Sequence, residues 1–435
     1  MKKIAIVSEH ASPQATPGTV DSGGQNIYVA NIARQLAARG WHVDVFTRLD
    51  DPVQPAIVDW APNIRLLHIP AGPARFLAKE SLMPFMDDFS RGMQHYFQDE
   101  EEPYHLIHAN FFMSAMAAMP LAKSYGIPLA VTFHALGKVR RQHQATADRF
   151  PDSRFEIEDR IVREADCIIA ECPQDREDLI SLYSADPDTI CMVPCGFDSE
   201  ELSPMAKASA RARLGWDADN FRLLQLGRMV PRKGIDNVIR ALSRLRFGHG
   251  VNASLCVVGG DFNLPGGQDR SEYRRLRDIA RTEGVADHVE FVGQRVRSQL
   301  RRYYCASDVF VTTPWYEPFG MTPVEAMACA TPVIGSDTGG IRYSVRDGET
   351  GFLVPPRDPD RLAERLSVLA RDASLAAAMG QAGARRAAIF FTWERVGQQL
   401  ATIFGGLTQQ AATPPRISTV HESDPVRSAG SLFGN

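Results

Sequence analysis

The sequence predicts an α/β protein of two Rossmann-like parallel-sheet domains facing a central cleft. Three observations predict it. Short apolar runs alternate with amphipathic stretches in two separate series. A polar, proline-interrupted stretch divides the two series near the middle of the chain. A glycine-bounded turn stands near the start of each series. Strand and helix in this rhythm build βαβ units and a parallel sheet. Ligands bind beyond the carboxyl ends of parallel strands, so two such edges turned toward each other form one cleft.

The first series opens with a strand over 4–8. From Gln25 to Arg39, the residues Ile27, Ala30, Ile32, Ala33, Leu36 and Ala37 recur at helical spacing, and Gly40 follows as a C-terminal glycine would. Strands are predicted over 43–47, 64–69, 106–108, 129–132, 167–170 and 190–193. The pattern stops near Val193-Pro194-Cys195-Gly196, and 197–220 reads as the interdomain connection plus a short helix. The second series has strands over 223–226, 255–258, 289–292, 309–312, 332–335 and 351–354, with helices over 236–245 and 323–329. The domain boundaries follow as 1–205 and 206–390. A C-terminal helix over 391–412 is expected to pack back on the first domain. Periodicity is lost from Thr413, so 413–435 is expected to be a disordered tail.

Composition narrows the function classes. A chain of 435 residues, 44% hydrophobic and 23% charged, can bury two cores without staples. A net charge of −4 gives no electrostatic reason to expect nucleic acid. No apolar run reaches the ~18 residues of a membrane span. The apolar start is too short for a secretory leader, so a cytoplasmic location is the default. Cys167, Cys172, Cys191 and Cys195 fall in or beside strand-like runs and read as buried thiols rather than zinc ligands. No metal-binding signature is visible, so neither a catalytic metal nor a cofactor is expected.

Three motifs carry chemistry. Asp21-Ser22-Gly23-Gly24-Gln25 lies between the first strand and its helix. Glycines let backbone N–H groups approach an anion, and the helix N-terminus adds positive charge. Alone, it is equally a plain strand-to-helix turn. Gly227-Arg228-Met229-Val230-Pro231-Arg232-Lys233-Gly234 follows the first strand of the second series. Its cations suit a diphosphate, Arg as a bidentate donor and Lys as a point charge; the alternative is a solvated basic loop. The sharpest motif runs from Pro314 to Met327 and holds Glu317 on a loop and Glu325 in the following helix. Pro318 and Gly320 tighten the loop, and Pro323 suits a first helical turn. A carboxylate is a bidentate acceptor for vicinal sugar hydroxyls; Glu325 could instead stabilise its helix dipole.

Together, EPFGMTPVEAMACATPVIGSDTGG over 317–340, Gly23-Gly24-Gln25 with Tyr28 and Val29, and Arg228 with Lys233 resemble the family-4 retaining glycosyltransferases of GT-B fold. The resemblance covers residues 1 to about 400. It points to the branch containing sucrose-phosphate synthases and the mycothiol-pathway glycosyltransferase. It implies a nucleoside-diphosphate sugar donor, UDP-glucose first, with GDP-mannose and UDP-N-acetylglucosamine behind it. It implies that Glu325 binds the ribose and Glu317 the donor sugar, beside Phe319, Gly320, Met321 and Thr322. Arg228 and Lys233 clamp the diphosphate, and Gly23 and Gly24 approach it from the other lobe. The turn with Gln294 and Arg295 holds the base. His134 matches the family's active-site histidine; otherwise it is a buried histidine bonded to a carbonyl. Catalytic work falls to His134, Glu317, Arg228 and Lys233.

Asn26, Lys79, Lys138 and Arg154 stand at acceptor-side positions, each equally readable as a solvated surface group. Phe111 and Ala135 stand where the mycothiol-type pattern has hydroxyl side chains, which counts against an inositol-phosphate acceptor. The implied reaction moves a hexosyl unit to a small sugar or polyol, phosphorylated or free. Competing readings are a transferase for lipid-linked or glycan acceptors at a membrane surface, a GT-B phosphorylase or epimerase, and a non-catalytic nucleotide-sugar-binding protein.

Overall fold

The computed structural model describes residues 2–14, 23–262 and 269–412. Asp21, Ser22 and the expected tail at 413–435 lie outside the described residues.

The first domain carries one sheet of eight strands: β1 (Lys2–Val7), β2 (Trp41–Arg48), β3 (Ile57–Ala61), β4 (Ile64–Ile69), β5 (Leu106–Asn110), β6 (Leu129–Thr132), β7 (Cys167–Ala170) and β8 (Ile190–Met192). Their order is β3-β4-β2-β1-β5-β6-β7-β8. Ile4, Ala5, Ile6 and Val7 are all fully buried, because helices cover both faces of the sheet. The second domain carries six strands: β9 (Phe221–Leu226), β10 (Ala253–Val258), β11 (Val289–Gly293), β12 (Val309–Thr312), β13 (Val333–Ser336) and β14 (Gly351–Val354). Their order is β11-β10-β9-β12-β13-β14, parallel throughout.

The strands over 64–69, 129–132, 167–170, 309–312 and 351–354 coincide with the predicted runs. β3 was not predicted, and it makes the first sheet mixed. It pairs antiparallel with β4 at the sheet edge, and its five residues are only partly buried, so no continuous apolar run marks it.

The chain reverses direction across the first sheet between β1 and β5, and across the second between β9 and β12. Such switch points open a crevice at the strand ends. The glycine turn at 23–24 follows β1. The basic turn at 227–234 follows β9, and the loop bearing Glu317 follows β12. The motifs therefore meet because the topology leaves gaps where they stand.

The helix Lys207–Leu214 belongs to the second domain: Arg211 bonds Asp308 at 2.5 Å and the Ala306 carbonyl at 3.0 Å. At the far end, Phe197 and Thr392 form an isolated bridge. The helix Trp393–Ala412 then lies on the first domain, with the Lys2 ammonium 2.6 Å from Thr408 Oγ1 and Arg39 Nη2 2.7 Å from the Glu394 carbonyl. No helix among the described residues is long and apolar enough to cross a membrane.

Candidate active site

In the second domain, the turn after β9 folds into a short 3-10 segment, Pro231–Lys233, closed by Gly234 in the left-handed region. This turns Lys233 onto Glu317, with which it forms an ion pair, while Arg232 Nη1 stands 3.9 Å from the same carboxylate oxygen. Backbone bonds lock the two loops together: Trp315 N–H donates to the Arg232 carbonyl at 2.9 Å. Burial alone would raise the Glu317 carboxyl, yet Lys233, Arg232 and Arg228 hold it below the usual carboxylate range. Burial, with Arg232 and Arg228 nearby, pushes the Lys233 amine down against the pull of Glu317. The resting cleft thus holds a cation and an anion neutralising each other, each suited to a different part of one ligand.

Glu325 lies in the helix Met321–Ala328 and is 3% exposed. It accepts from Arg297 Nη1 at 3.0 Å and from the Tyr304 hydroxyl at 2.8 Å. That engagement goes beyond dipole stabilisation. Arg297 also pairs with Glu201 of the interdomain connection. Gln294 and Arg295 follow β11, and Arg295 is pinned by Tyr303 at 3.1 Å and by the Gln294 carbonyl at 2.9 Å.

The first domain supplies the facing wall. Gly23 and Gly24 open the helix Gly24–Ala37, Gly24 against Met321 and Gly23 near Arg228. His134 follows β6 with φ of +56°, a conformation rare outside glycine. Its ring lies between Glu171 (Nδ1 to Oε1, 2.9 Å) and Asn110 (Nε2 to Oδ1, 3.1 Å). Both partners are side chains, one a carboxylate and the other an amide oxygen.

The two walls enclose a cleft of about 770 Å³, within the range of ligand sites. Gly23, Gly24, Asn26, Lys79, His134, Arg228, Lys233, Gln294, Arg295, Glu317, Phe319, Gly320, Met321, Thr322 and Glu325 all line it. The lobes touch at its rim, where Gln144 Nε2 donates to the Tyr316 hydroxyl at 2.5 Å and the His143 ring stacks on Tyr316 at 5.0 Å.

Two acceptor-side expectations, Arg154 and Lys138, need correction. Arg154 is fully buried and does not line the cleft. It pairs with Glu158 at 2.7 Å, donates to the Ala135 carbonyl at 2.5 Å, and sits under the rings of Phe111, Phe112 and Phe150. Lys138 also points away, held by Asp159 at 2.6 Å and the Leu182 carbonyl at 2.8 Å. Asn26 lines the cleft but spends both ends of its amide on backbone, accepting from Gly23 N–H at 2.8 Å and donating to the Ser12 carbonyl at 2.9 Å. Those two bonds brace the glycine turn. Arg154→Ala strands Glu158 without its cation, so it should cost about 3 kcal/mol of unfolding free energy in a denaturant titration. A drop below about 1 kcal/mol would contradict the structural assignment.

Sequence reasoning missed Glu171, Asn110, Arg297 and Tyr304. No short-range spacing joins them to their partners: Glu171 and Asn110 meet His134 through neighbouring strand ends, and Arg297 and Tyr304 reach Glu325 from the helix Arg297–Ala306. Cys167, Cys172 and Cys195 are buried and Cys191 is half-buried. Among the described residues no group of three or more His, Cys, Asp or Glu side chains is placed to hold a metal.

Residues 23–196 match the family model described as a glycosyl transferase 4-like domain, and residues 206–386 match that described as glycosyl transferases group 1. The D-inositol 3-phosphate glycosyltransferase of Stackebrandtia nassauensis is 36% identical over 427 residues, covering 96% of this chain and 94% of its own. That of Nocardiopsis dassonvillei is 36% identical over 414 residues, covering 95% and 96%. The solved structure of sucrose-phosphate synthase from Thermosynechococcus elongatus superposes with a TM-score of 0.87 at 34% identity, covering 94% of this chain and 100% of that one.

Proposed function

Because the chain belongs to the family-4 glycosyltransferases of GT-B fold, we propose that it moves a hexosyl unit, with retained anomeric configuration, from a nucleoside-diphosphate sugar to a hydroxyl of a small sugar or polyol. UDP-glucose is the donor the sequence resemblance favours. The observation that carries the reading is the neutralised pair of Lys233 and Glu317, with Arg228 and Arg232 lining the same cleft. A diphosphate draws Lys233 away, and the freed carboxylate then accepts from sugar hydroxyls. One ligand satisfies both halves of the pair. Glu325 takes the ribose, presented by Arg297 and Tyr304, and the main chain at Gln294 and Arg295 takes the base.

In this mechanism the bond from the anomeric carbon to the diphosphate oxygen breaks first. Arg228, Lys233 and the N–H groups around Gly24 stabilise the charge growing on the leaving group. The protein's own cations do this work, and no step calls for a metal ion. The acceptor hydroxyl attacks from the face the diphosphate vacates and passes its proton to the departing phosphate oxygen. His134 stands beside the sugar. Closure of the lobes keeps out water, which would otherwise hydrolyse the donor.

A phosphorylated acceptor gains support from two sources. The relatives' names carry an inositol 3-phosphate and a sucrose phosphate. Lys79, Arg140 and Arg149 line the first-domain side of the cleft. The test is an NMR assignment of the product formed from an α-linked donor. An α-linked product is expected; a β-linked product overturns the retaining assignment.

A further inference from the structure

Four successive strands of the first sheet, β5 to β8, bring four side chains to one point. Asn110 ends β5, His134 follows β6, Glu171 follows β7 and Cys195 follows β8. Glu171 is 3% exposed and lines the cleft. Its Oε1 accepts from His134 Nδ1 at 2.9 Å and from the Cys195 thiol at 3.1 Å. A carboxylate can only accept, so Nδ1 carries the proton of that bond. The other ring nitrogen, Nε2, faces Asn110 Oδ1 at 3.1 Å, an acceptor turned that way by the amide's own donation to the His108 carbonyl at 3.3 Å, so Nε2 donates as well. Tyr28 closes the ring's edge at 4.8 Å.

The groups around this cluster are shifted toward their neutral forms. Asp175, which accepts the Glu171 backbone N–H at 3.0 Å, is pushed up to about 8 by burial and by Glu171 itself. Burial and the neighbouring carboxylate push the Cys195 thiol well up, so it stays a neutral donor. His108, behind the ring, is lowered to about 3 by burial and by His134, and is neutral.

We propose that Glu171 is a positioning residue for the transfer: it fixes the His134 ring by its Nδ1 proton and so sets which ring atom the donor sugar meets. The assignment rests on the glycosyltransferase reading for its consequence in turnover, but not for the bond itself. A His134 with φ of +56° stores strain at the strand end, and strain of that kind persists where neighbours over-determine the conformation. Glu171 and Asn110 are those neighbours. Each ring nitrogen is held by the acceptor it faces, and on the Nδ1 side that acceptor is Glu171.

The test combines kinetics with ¹⁵N NMR of the ring, its signals assigned by comparison with His134→Gln. In the wild type Nδ1 is expected to be protonated at neutral pH. In Glu171→Gln, whose amide can offer Nδ1 a donor, the Nδ1 proton should be lost or exchange-averaged. There kcat should fall by about 10- to 100-fold, the range for partners that orient a functional histidine, with donor KM within about threefold. Glu171→Asp should regain part of the loss. A purely structural role would lower thermal stability without moving the ring signals. A wild-type ring protonated only at Nε2 overturns the proposal, as does a Glu171→Gln protein with unchanged kcat and unchanged ring signals. If Glu171→Gln does not fold, the wild-type spectrum decides. A wild type that turns over no donor sinks the transferase reading, while its spectrum still decides the bond.

Discussion

Lys233→Ala should lower kcat/KM for the donor by about 100- to 1,000-fold, the cost of removing one charge-stabilising donor at a leaving group. The side chain is mostly buried and lines the cleft. Alanine supplies no charge for the diphosphate, and it leaves Glu317 with Arg232 at 3.9 Å as its nearer remaining cation. The unfolding free energy should fall by about 1–3 kcal/mol, as for a partly compensated buried acceptor. The pH profile gives a second signature. Glu317 is held below its unfolded value. Its contribution to stability is therefore present above about pH 4.3 and is lost as the pH falls through the folded value. Without Lys233 that acid-dependent limb should flatten. Near-wild-type turnover in a folded Lys233→Ala protein would remove Lys233 from the diphosphate clamp.

Gly234→Ala should be worse for the fold, and a built-in control isolates the reason. Gly234 and Gly215 share the same backbone angles, φ 66° and ψ 28°. Around Gly215 a Cβ meets nothing, whereas at Gly234 it would overlap the Thr313 carbonyl oxygen. Thr313 leads into the loop of Glu317, and its hydroxyl already bonds the Gly234 carbonyl at 3.1 Å. One added carbon therefore wedges the Lys233 turn away from the Glu317 loop. Gly215→Ala should cost about 1 kcal/mol, the left-handed penalty alone, with full activity. Gly234→Ala adds overpacking and should cost about 2–5 kcal/mol. It should also lose more than about 100-fold in turnover, since a shift of about 1 Å suffices for that. Equal losses in the two variants would mean that the clash is relieved locally and that the loops are not coupled as described.

Much of this architecture was legible in the sequence because burial writes itself as pattern. Strands covered on both faces, such as 129–132 and 351–354, read as bare apolar runs, and their bounds came out unchanged. β3 escaped because an edge strand half open to solvent has no such run. The second-domain site was legible because its residues lie close in sequence, within 227–234 and 314–327. The first-domain side was legible only in part: Gly23, Gly24, Lys79 and His134 line the cleft, but the place of Arg154 and the partners of His134 could not be read. Arg154 sits in a helix, where charge usually means surface, and nothing local announces that Glu158 one turn later draws it inward under three phenylalanines. Glu171 stands 37 residues from His134, and only the adjacency of β6 and β7 joins them.

The most direct test of the central claim is nucleoside diphosphate release. The protein would be incubated with UDP-, GDP- and ADP-sugars, with and without a panel of sugar phosphates, polyol phosphates and their unphosphorylated forms. The expected result is release from UDP-glucose, amplified by one small acceptor and abolished in Glu317→Ala. A folded protein that neither binds nor cleaves any nucleotide sugar in the panel, or a Glu317→Ala variant as active as the wild type, would contradict the site assignment.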